Sequence, residues 1–208
     1  MNGKILMNFA LTICFFCCCS SGRVIESPHY NVIHVEAEFE IRQYKQVSWI
    51  SALVQGTASF EKSTQQGFHR LYQYIHGANI NSSHFLITSP VTTTIMASTH
   101  GPERLVRYYL PSMYTENPPL PNSELNVQFE KWRSNCLAVR RFSGFAKDDN
   151  INKEVEALKS SLNKYLPKSS AISEYTVAQY NSSRHLSGRL NEVWLDVSAV
   201  TSEGCQRR

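Results

Sequence analysis

The feature that most constrains this chain is a weak internal duplication. The stretch YKQVSWISALVQG aligns without gaps with WRSNCLAVRRFSG, which begins 88 residues further on (44 to 132). Each copy starts with an aromatic residue, continues through a strand-like run and ends on glycine. The chain is therefore expected to use one supersecondary unit twice.

Both copies continue into an amphipathic helix. The apolar stripe of the first has i, i+3, i+4, i+7 spacing and consists of Phe68, Leu71, Tyr72 and Ile75. The stripe of the second consists of Ile151, Val155, Leu158, Leu162 and Tyr165. Gly77 marks the end of the first helix, and residues 148–150 are capping candidates for the second.

Two β-like runs follow each helix, at 84–98 and 104–111 in the first half and at 174–180 and 191–200 in the second. The repeated unit is thus β-α-β-β. Because each helix must bury its stripe against a sheet, the pattern predicts an α+β fold: a distorted antiparallel β-barrel flanked by two helices. We expect one domain over residues 23–208, with pseudo-repeats at about 26–115 and 125–200.

The first 22 residues have the layout of a secretory signal peptide. Lys4 precedes an apolar run that Asn8 interrupts, and the small residues Ser20, Ser21 and Gly22 follow it. We expect cleavage near Gly22 and a location outside the cell or in the endomembrane lumen, the vacuole included. An uncleaved anchor is the alternative.

Two cysteines and two sequons remain beyond this segment. Cys136 and Cys205 either form a disulfide in an oxidising compartment or stay as free thiols. Asn81 and Asn181 each begin an Asn-Ser-Ser sequon in a polar stretch, which makes both of them glycosylation candidates.

His69 and His76 raise the question of a metal or haem ligand. They are seven residues apart, roughly 10 Å along a helix, which is too far for both to bind one ion. Either one alone could ligate a haem iron, and the alternative is a pair of histidines at the polar border of the helix. No C-x-x-C-H motif for covalent haem attachment occurs.

Glu192 places a charge within an otherwise apolar strand, NEVWLDV. A carboxylate in such a position must be paired or neutralised. We expect a structural pairing with Arg42 or Arg107, and the alternative is a position lining a ligand cavity. The formal net charge of +4 comes with no run of basic residues, so nothing indicates nucleic-acid binding.

A set of landmarks spread over residues 26–198 resembles the SOUL haem-binding protein family. They are ESPHYNVI, FEIRQY, GFHRLYQYIHGAN, ITSPVTTTI, VRYYLP, NPPLP, RRFSGFA, QYN and NEVWLDV, in the family's order. The segment GFHRLYQYIHGAN and the leader look most like the plant members. Together the landmarks are highly specific, although none is so alone.

The resemblance implies a gyrase-inhibitory-protein-like ligand-binding fold with haem or another tetrapyrrole as bound ligand. Binding would be reversible and non-covalent, for transport or buffering without catalysis, in an apolar groove beside the first helix. The matched groove positions are Gln65, Phe68, His69, Tyr72, Gln73, Arg104, Val106 and Tyr180. His76 is a further candidate, as an iron ligand.

Two positions depart from the family pattern. A basic helix residue of some members is Gln65 here, so Arg70 or Arg104 would have to pair with propionates. The histidine proposed as iron ligand in one vertebrate branch falls at Gln43, so that role does not transfer.

Two alternatives use the same fold. One is a small-molecule hydrolase with Glu192 as general base, assisted by Tyr108 or Tyr180. The other is a protein-interaction module with incidental porphyrin binding. We expect a monomer without an integral membrane segment after cleavage, and the protein partners are left open.

Overall fold

The computed structural model describes residues 25–56, 59–96, 101, 103–182 and 184–201. The expected signal segment and Cys205 lie outside these residues. The strands are β1 Tyr30–Val35, β2 Glu40–Tyr44, β3 Val47–Gln55, β4 Val91–Met96, β5 Glu103–Tyr109, β6 Gln128–Trp132, β7 Asn135–Ser143, β8 Tyr175–Gln179 and β9 Leu190–Asp196. The helices are α1 Phe60–Ile75 and α2 Asp148–Tyr165, with three short 3-10 turns between elements.

The described strands form one antiparallel sheet in the order β1-β2-β7-β9-β8-β4-β5-β3-β6. Read inwards from the two ends of the sheet, β2-β7-β9-β8 of one side and β6-β3-β5-β4 of the other are equivalent strands of the two repeats. A pseudo-twofold axis therefore passes between β8 and β4. The aligned stretches of the duplication contain β3 and β7, as expected. The repeated unit has one strand more than the predicted β-α-β-β, because each copy begins with an extra strand, β2 or β6, that pairs with the other copy.

Short connections force this sheet to curl. β2 and β3 lie near opposite ends of the strand order, yet only Lys45 and Gln46 separate them. Three residue steps span at most about 11 Å, so the two ends of the sheet must approach each other. Arg133 and Ser134 impose the same constraint between β6 and β7. The result is a curled half-barrel, which confirms the α+β distorted-barrel prediction.

The two helices cover the outer face of the half-barrel. α1 packs on β3 and β5, where Ile50, Ala52 and Val106 are fully buried. α2 packs on β7 and β9, against Ala138 and Val193. Because a strand alternates its side chains, the residues between these positions point to the inner, concave face.

The predicted stripe of α1 is partly wrong. Leu71 and Ile75 are buried, but Phe68 is half-buried and the Tyr72 side chain is 47% exposed. The buried face of the helix includes the small residues Ser63 and Gly67 in addition to Leu71, Tyr74 and Ile75. A Cβ on Gly67 would lie 2.4 Å from Cγ2 of Val106, a contact too short to exist. Glycine therefore lets the helix pack close to β5, and Phe68 and Tyr72 are left on its flank.

Cys136 is buried in the core beneath α2 and is disulfide-bonded. Its partner lies outside the described residues, where Cys205 and the cysteines of the expected leader are found. A pairing of Cys136 with Cys205 therefore stays a prediction.

Candidate ligand-binding site

Three ring side chains form a row along one exposed flank of α1. The ring centres of Phe68 and Tyr72 are 6.1 Å apart, and the ring of Tyr72 stacks on that of His76 at 3.8 Å. This spacing of four residues is one turn of helix per step. Phe68 leans inward on Tyr108 at 6.4 Å, which anchors one end of the row. We call Phe68, Tyr72 and His76 the ring row.

Hydrogen bonding distinguishes the two candidate histidines. Nδ1 of His76 lies 2.8 Å from the carbonyl oxygen of Tyr72. A carbonyl only accepts, so in the neutral ring Nδ1 carries the proton and Nε2 keeps a free lone pair. In His69, by contrast, Nε2 lies 3.2 Å from the amide nitrogen of Gln73, which donates to it. Of the two, His76 has the ring nitrogen suited to coordinate iron.

Two of the other predicted helix positions line a different hollow, and the third, Gln73, does not border it. Gln65 and His69 border a space of about 490 Å³ together with Val54, Gln66 and Arg70. Neither Phe68 nor Tyr72 borders that space. The guanidinium of Arg70 is directed away from the ring row, because it donates to the carbonyl of Asn126 at 3.2 Å and to that of Leu53. Arg70 is thus not placed to pair with a propionate at the ring row.

The two predicted strand positions lie under the helix layer. Val106 is completely buried beneath Gly67, and it supports α1 rather than bordering an open groove. Arg104 is 8% exposed, and its charge acts on Tyr175. Both residues shape the surface on which α1 rests.

Tyr180 is separated from the ring row by the sheet. Its hydroxyl donates to Oε2 of Glu192 at 2.8 Å on the inner face. Burial, followed by the charge of Glu192, raises the pKa of Tyr180, so the phenol keeps its proton and remains a donor. The structure therefore does not bring Tyr180 together with the helix positions.

Glu192 is the acceptor at the centre of a buried network. Nη1 of Arg42 donates to both of its carboxylate oxygens at 3.0 and 3.1 Å, and Nε1 of Trp194 donates at 2.8 Å. Nε of Arg141 adds a longer contact of 3.4 Å. This is the expected structural pairing, with Arg42 as the partner.

Arg107, the other arginine considered, pairs with Glu130 at 2.8 Å instead. Glu192 is only 2% exposed, and both of its oxygens accept from cations and ring donors. A general base must reach its substrate, directly or through one water. The hydrolase alternative that used Glu192 is therefore inconsistent with the structure.

The curled sheet also creates an inner pocket that the sequence did not indicate. It has a volume of about 430 Å³, and both repeats contribute to it, with Trp132 and Tyr175 among the walls. Its lining includes both cations and carboxylates: Arg107, Lys131, Arg133, Glu174 and Asp196. Residues from six strands meet here only because the sheet curls, so no local motif could have predicted the pocket.

The two sequons differ in their surroundings. Asn81 is exposed in the loop after α1. Asn181 is half-buried, and its side-chain oxygen accepts from the N–H of Leu190 at 2.6 Å. Glycosylation of either asparagine stays a prediction.

Within the described ranges, no group of three or more histidine, cysteine, aspartate or glutamate side chains is arranged to hold a metal ion. Across the same part of the chain, no helix has the length and apolar character needed to cross a membrane.

The comparison with known proteins agrees with the fold and the sequence landmarks. The family described as SOUL heme-binding protein matches residues 25–196, so the chain belongs to this family. It is 32% identical to "Heme-binding protein 1" of Xenopus laevis over 160 residues, and this aligned region covers 75% of this chain and 82% of the relative. It is 31% identical over 163 residues to "Heme-binding protein 2" of Homo sapiens, which covers 76% of this chain and 77% of the relative.

Solved structures of low sequence identity share the fold. A hydrolase of Listeria innocua superposes with a TM-score of 0.51 at 9% identity, over 76% of this chain and 90% of the other. The C-terminal domain of EcmrR superposes with a TM-score of 0.51 at 10% identity, over 80% of this chain and 96% of that domain. At such identity these structures establish architecture alone.

Proposed function

We propose that this protein binds haem or a related tetrapyrrole reversibly and non-covalently at the ring row of α1. The single observation that carries the proposal is the exposed, stacked row of Phe68, Tyr72 and His76 in a chain of this family. A flat apolar macrocycle can lie against such rings. Burying apolar area is worth roughly 25 cal/mol per Å² before the cost of association is subtracted.

Two features of the site fit an iron porphyrin. The unprotonated Nε2 of His76 is available to the iron, and the contact of Nδ1 with the Tyr72 carbonyl fixes that tautomer, as is usual for metal-binding histidines. Arg70 lies on the other side of the helix and Arg104 is buried, so we expect the propionates to extend into solvent.

The relatives' names support a binding role. We propose transport or buffering as the use of this binding, without catalytic turnover. We further propose that the mature protein acts outside the cell or in the endomembrane lumen. The basic start, apolar run and small-residue exit of residues 1–22 support this location.

The test is a titration of the mature protein with haem and with metal-free protoporphyrin, followed by absorption spectroscopy. We expect both ligands to bind at micromolar concentration. Tyr72→Ala should weaken the binding of both ligands, because it removes the central ring of the ring row. His76→Gln should weaken haem binding strongly and change the haem spectrum. It should weaken protoporphyrin binding less, because the metal-free ring loses a ring contact but no axial ligand.

His69→Gln is the matched control, since His69 is an exposed histidine on the same helix whose Nε2 already accepts a hydrogen bond. It should leave both affinities unchanged. Failure of the unmodified protein to bind either ligand would refute the proposed function. Binding that Tyr72→Ala leaves intact would place the ligand elsewhere, with the inner pocket as the next candidate.

A further inference from the structure

A second histidine faces His76 across a short backbone pairing. His84 lies opposite His76 in an antiparallel bridge, and the N–H of Phe85 donates to the carbonyl of Ile75 at 3.0 Å. His76 and His84 are thus a non-hydrogen-bonded pair, and the backbone hydrogen bond joins their neighbours instead. Side chains approach most closely at such positions.

Gly77 brings the two imidazoles together. It has a φ of +101°, in the region that favours glycine, and it turns the chain immediately after His76. A Cβ at this position would lie 3.3 Å from Nε2 of His84, so any side chain there would press on that ring. The ring centres of His76 and His84 are 6.1 Å apart, and both side chains are exposed.

The chemistry of the pair is that of two neutral nitrogen ligands. Nε2 of His76 has a free lone pair, because Nδ1 donates to the carbonyl of Tyr72. Hydrogen bonds among the described residues leave the ring nitrogens of His84 unengaged. Two imidazoles that share one ion at about 2.1 Å per nitrogen have ring centres roughly 5–6 Å apart. His76 keeps its hydrogen bond to the Tyr72 carbonyl, and the exposed His84 side chain can turn about its own bonds to reach that arrangement.

We propose that His76 and His84 form a surface site for one first-row divalent transition-metal ion. Imidazole suits Cu²⁺ and Zn²⁺, and water would complete the coordination. The site uses two histidines, fewer than the four protein ligands of a closed structural zinc site. It shares His76 with the proposed tetrapyrrole site but stands whether or not a tetrapyrrole binds.

The experiment is a calorimetric titration of untagged mature protein with Cu²⁺ and with Zn²⁺, without porphyrin present. We expect one ion per chain, bound more tightly as Cu²⁺ than as Zn²⁺. His76→Gln and His84→Gln should each weaken Cu²⁺ binding on the order of tenfold or more, since each removes one of two nitrogen ligands. Electron paramagnetic resonance should show coupling of Cu²⁺ to nitrogen that both substitutions reduce.

Two controls separate this site from other surface histidines. His69→Gln, two helical turns before His76, and His185→Gln, in the loop before β9, should leave the affinity unchanged. Circular dichroism of each variant establishes that the fold is kept. No binding by the unmodified protein, or binding that either His76→Gln or His84→Gln leaves intact, overturns the proposal. Because no tetrapyrrole is used, neither result bears on the proposed function.

Discussion

At Glu192 a single side chain shows how this fold treats a charge in its interior. The carboxylate is 2% exposed, and desolvation alone would make it unfavourable. Arg42, Tyr180 and Trp194 supply donors to both oxygens, and Arg42 in turn lies over the ring of Tyr30 at 4.4 Å. The network connects β1, β2, β9 and the residue that follows β8, so it links segments that are distant in sequence.

Removal of Arg42 should therefore be strongly destabilising. We expect Arg42→Met to lower the free energy of unfolding by about 3–5 kcal/mol, because Glu192 would remain buried without its cation. Urea denaturation measures this change. The double variant Arg42→Met with Glu192→Met should lose less free energy of unfolding than Arg42→Met alone, because it leaves no buried charge without a partner.

Arg141 provides the matched control for this prediction. It also contacts Glu192, at 3.4 Å, but its side chain is 54% exposed. Arg141→Met should lower the free energy of unfolding by less than about 1 kcal/mol, as is usual for solvated ion pairs. Equal decreases in the free energy of unfolding for Arg42→Met and Arg141→Met would show that contact with Glu192, and not burial of the arginine, determines the destabilisation.

At the scale of elements, the first residues of the two helices come together. The backbone N–H of Phe60, at the start of α1, lies 3.2 and 3.1 Å from the two carboxylate oxygens of Asp148, at the start of α2. Asp148 was expected to cap its own helix. There, Asn150 accepts from the N–H of Lys147 at 2.8 Å instead. Ser59 caps α1 with its own hydroxyl, which accepts from the N–H of Lys62, and Asp148 of the other repeat adds an acceptor for the N–H of Phe60. Phe60 and Asp148 are at equivalent positions of the duplication.

Substitution of Asp148 should measure this contact between the repeats. We expect Asp148→Ala to lower the free energy of unfolding by about 0.5–2 kcal/mol, as for loss of a helix cap. Asp149→Ala is the control, because Asp149 is exposed and lies in the same first turn of α2. Chemical denaturation compares the two. If Asp149→Ala destabilises the protein as much as Asp148→Ala, the effect comes from the charge at α2 alone.

At the scale of the whole molecule, tyrosines buried on both faces of the sheet couple stability to alkaline pH. Burial raises the pKa of six of the ten tyrosines: Tyr44, Tyr74, Tyr108, Tyr109, Tyr175 and Tyr180. For Tyr109, burial and the nearby Glu26 raise the pKa to about 12. The folded state holds these protons more tightly than the unfolded state does.

The sign of the pH dependence follows from linkage. Below the ordinary tyrosine pKa of 10.0 both states are protonated, so the stabilisation is complete there. As pH rises from 10 to about 12, the unfolded state loses protons that the folded state keeps, and stability falls. We expect the urea midpoint to be unaffected by these groups at pH 8 and to decrease steeply above pH 10. A midpoint that stays constant to pH 11 would contradict this account.

Much of the fold could be predicted because the relevant signals are local. The helix periodicity around Leu71 and Leu158 and the β-like runs after each helix identified the elements, and the duplication identified their order. The stripe of α1 was placed partly on the wrong side, because helix spacing does not reveal that Gly67 lies against Val106. Hydrophobicity marked Phe68 and Tyr72 as core, whereas close approach of the backbone left them on the flank.

The site was less predictable, because its members are distant in sequence. Tyr180 and Phe68 were assigned to one groove, but the alternation of β8 directs Tyr180 to the inner face. The pairing of His76 with His84 depends on a bridge that follows the turn at Gly77.

By itself, the sequence determined the repeated unit, the two amphipathic helices, the burial of Glu192 with an arginine and the family to which the chain belongs. Only the tertiary structure decided which strands the two copies exchange, which face each tyrosine occupies and which histidine nitrogen is free. The physical reason is that periodicity and composition act over a few residues. Strand pairing and the curl of the sheet depend instead on contacts between residues far apart in the chain, and these contacts set the direction of every side chain in the site.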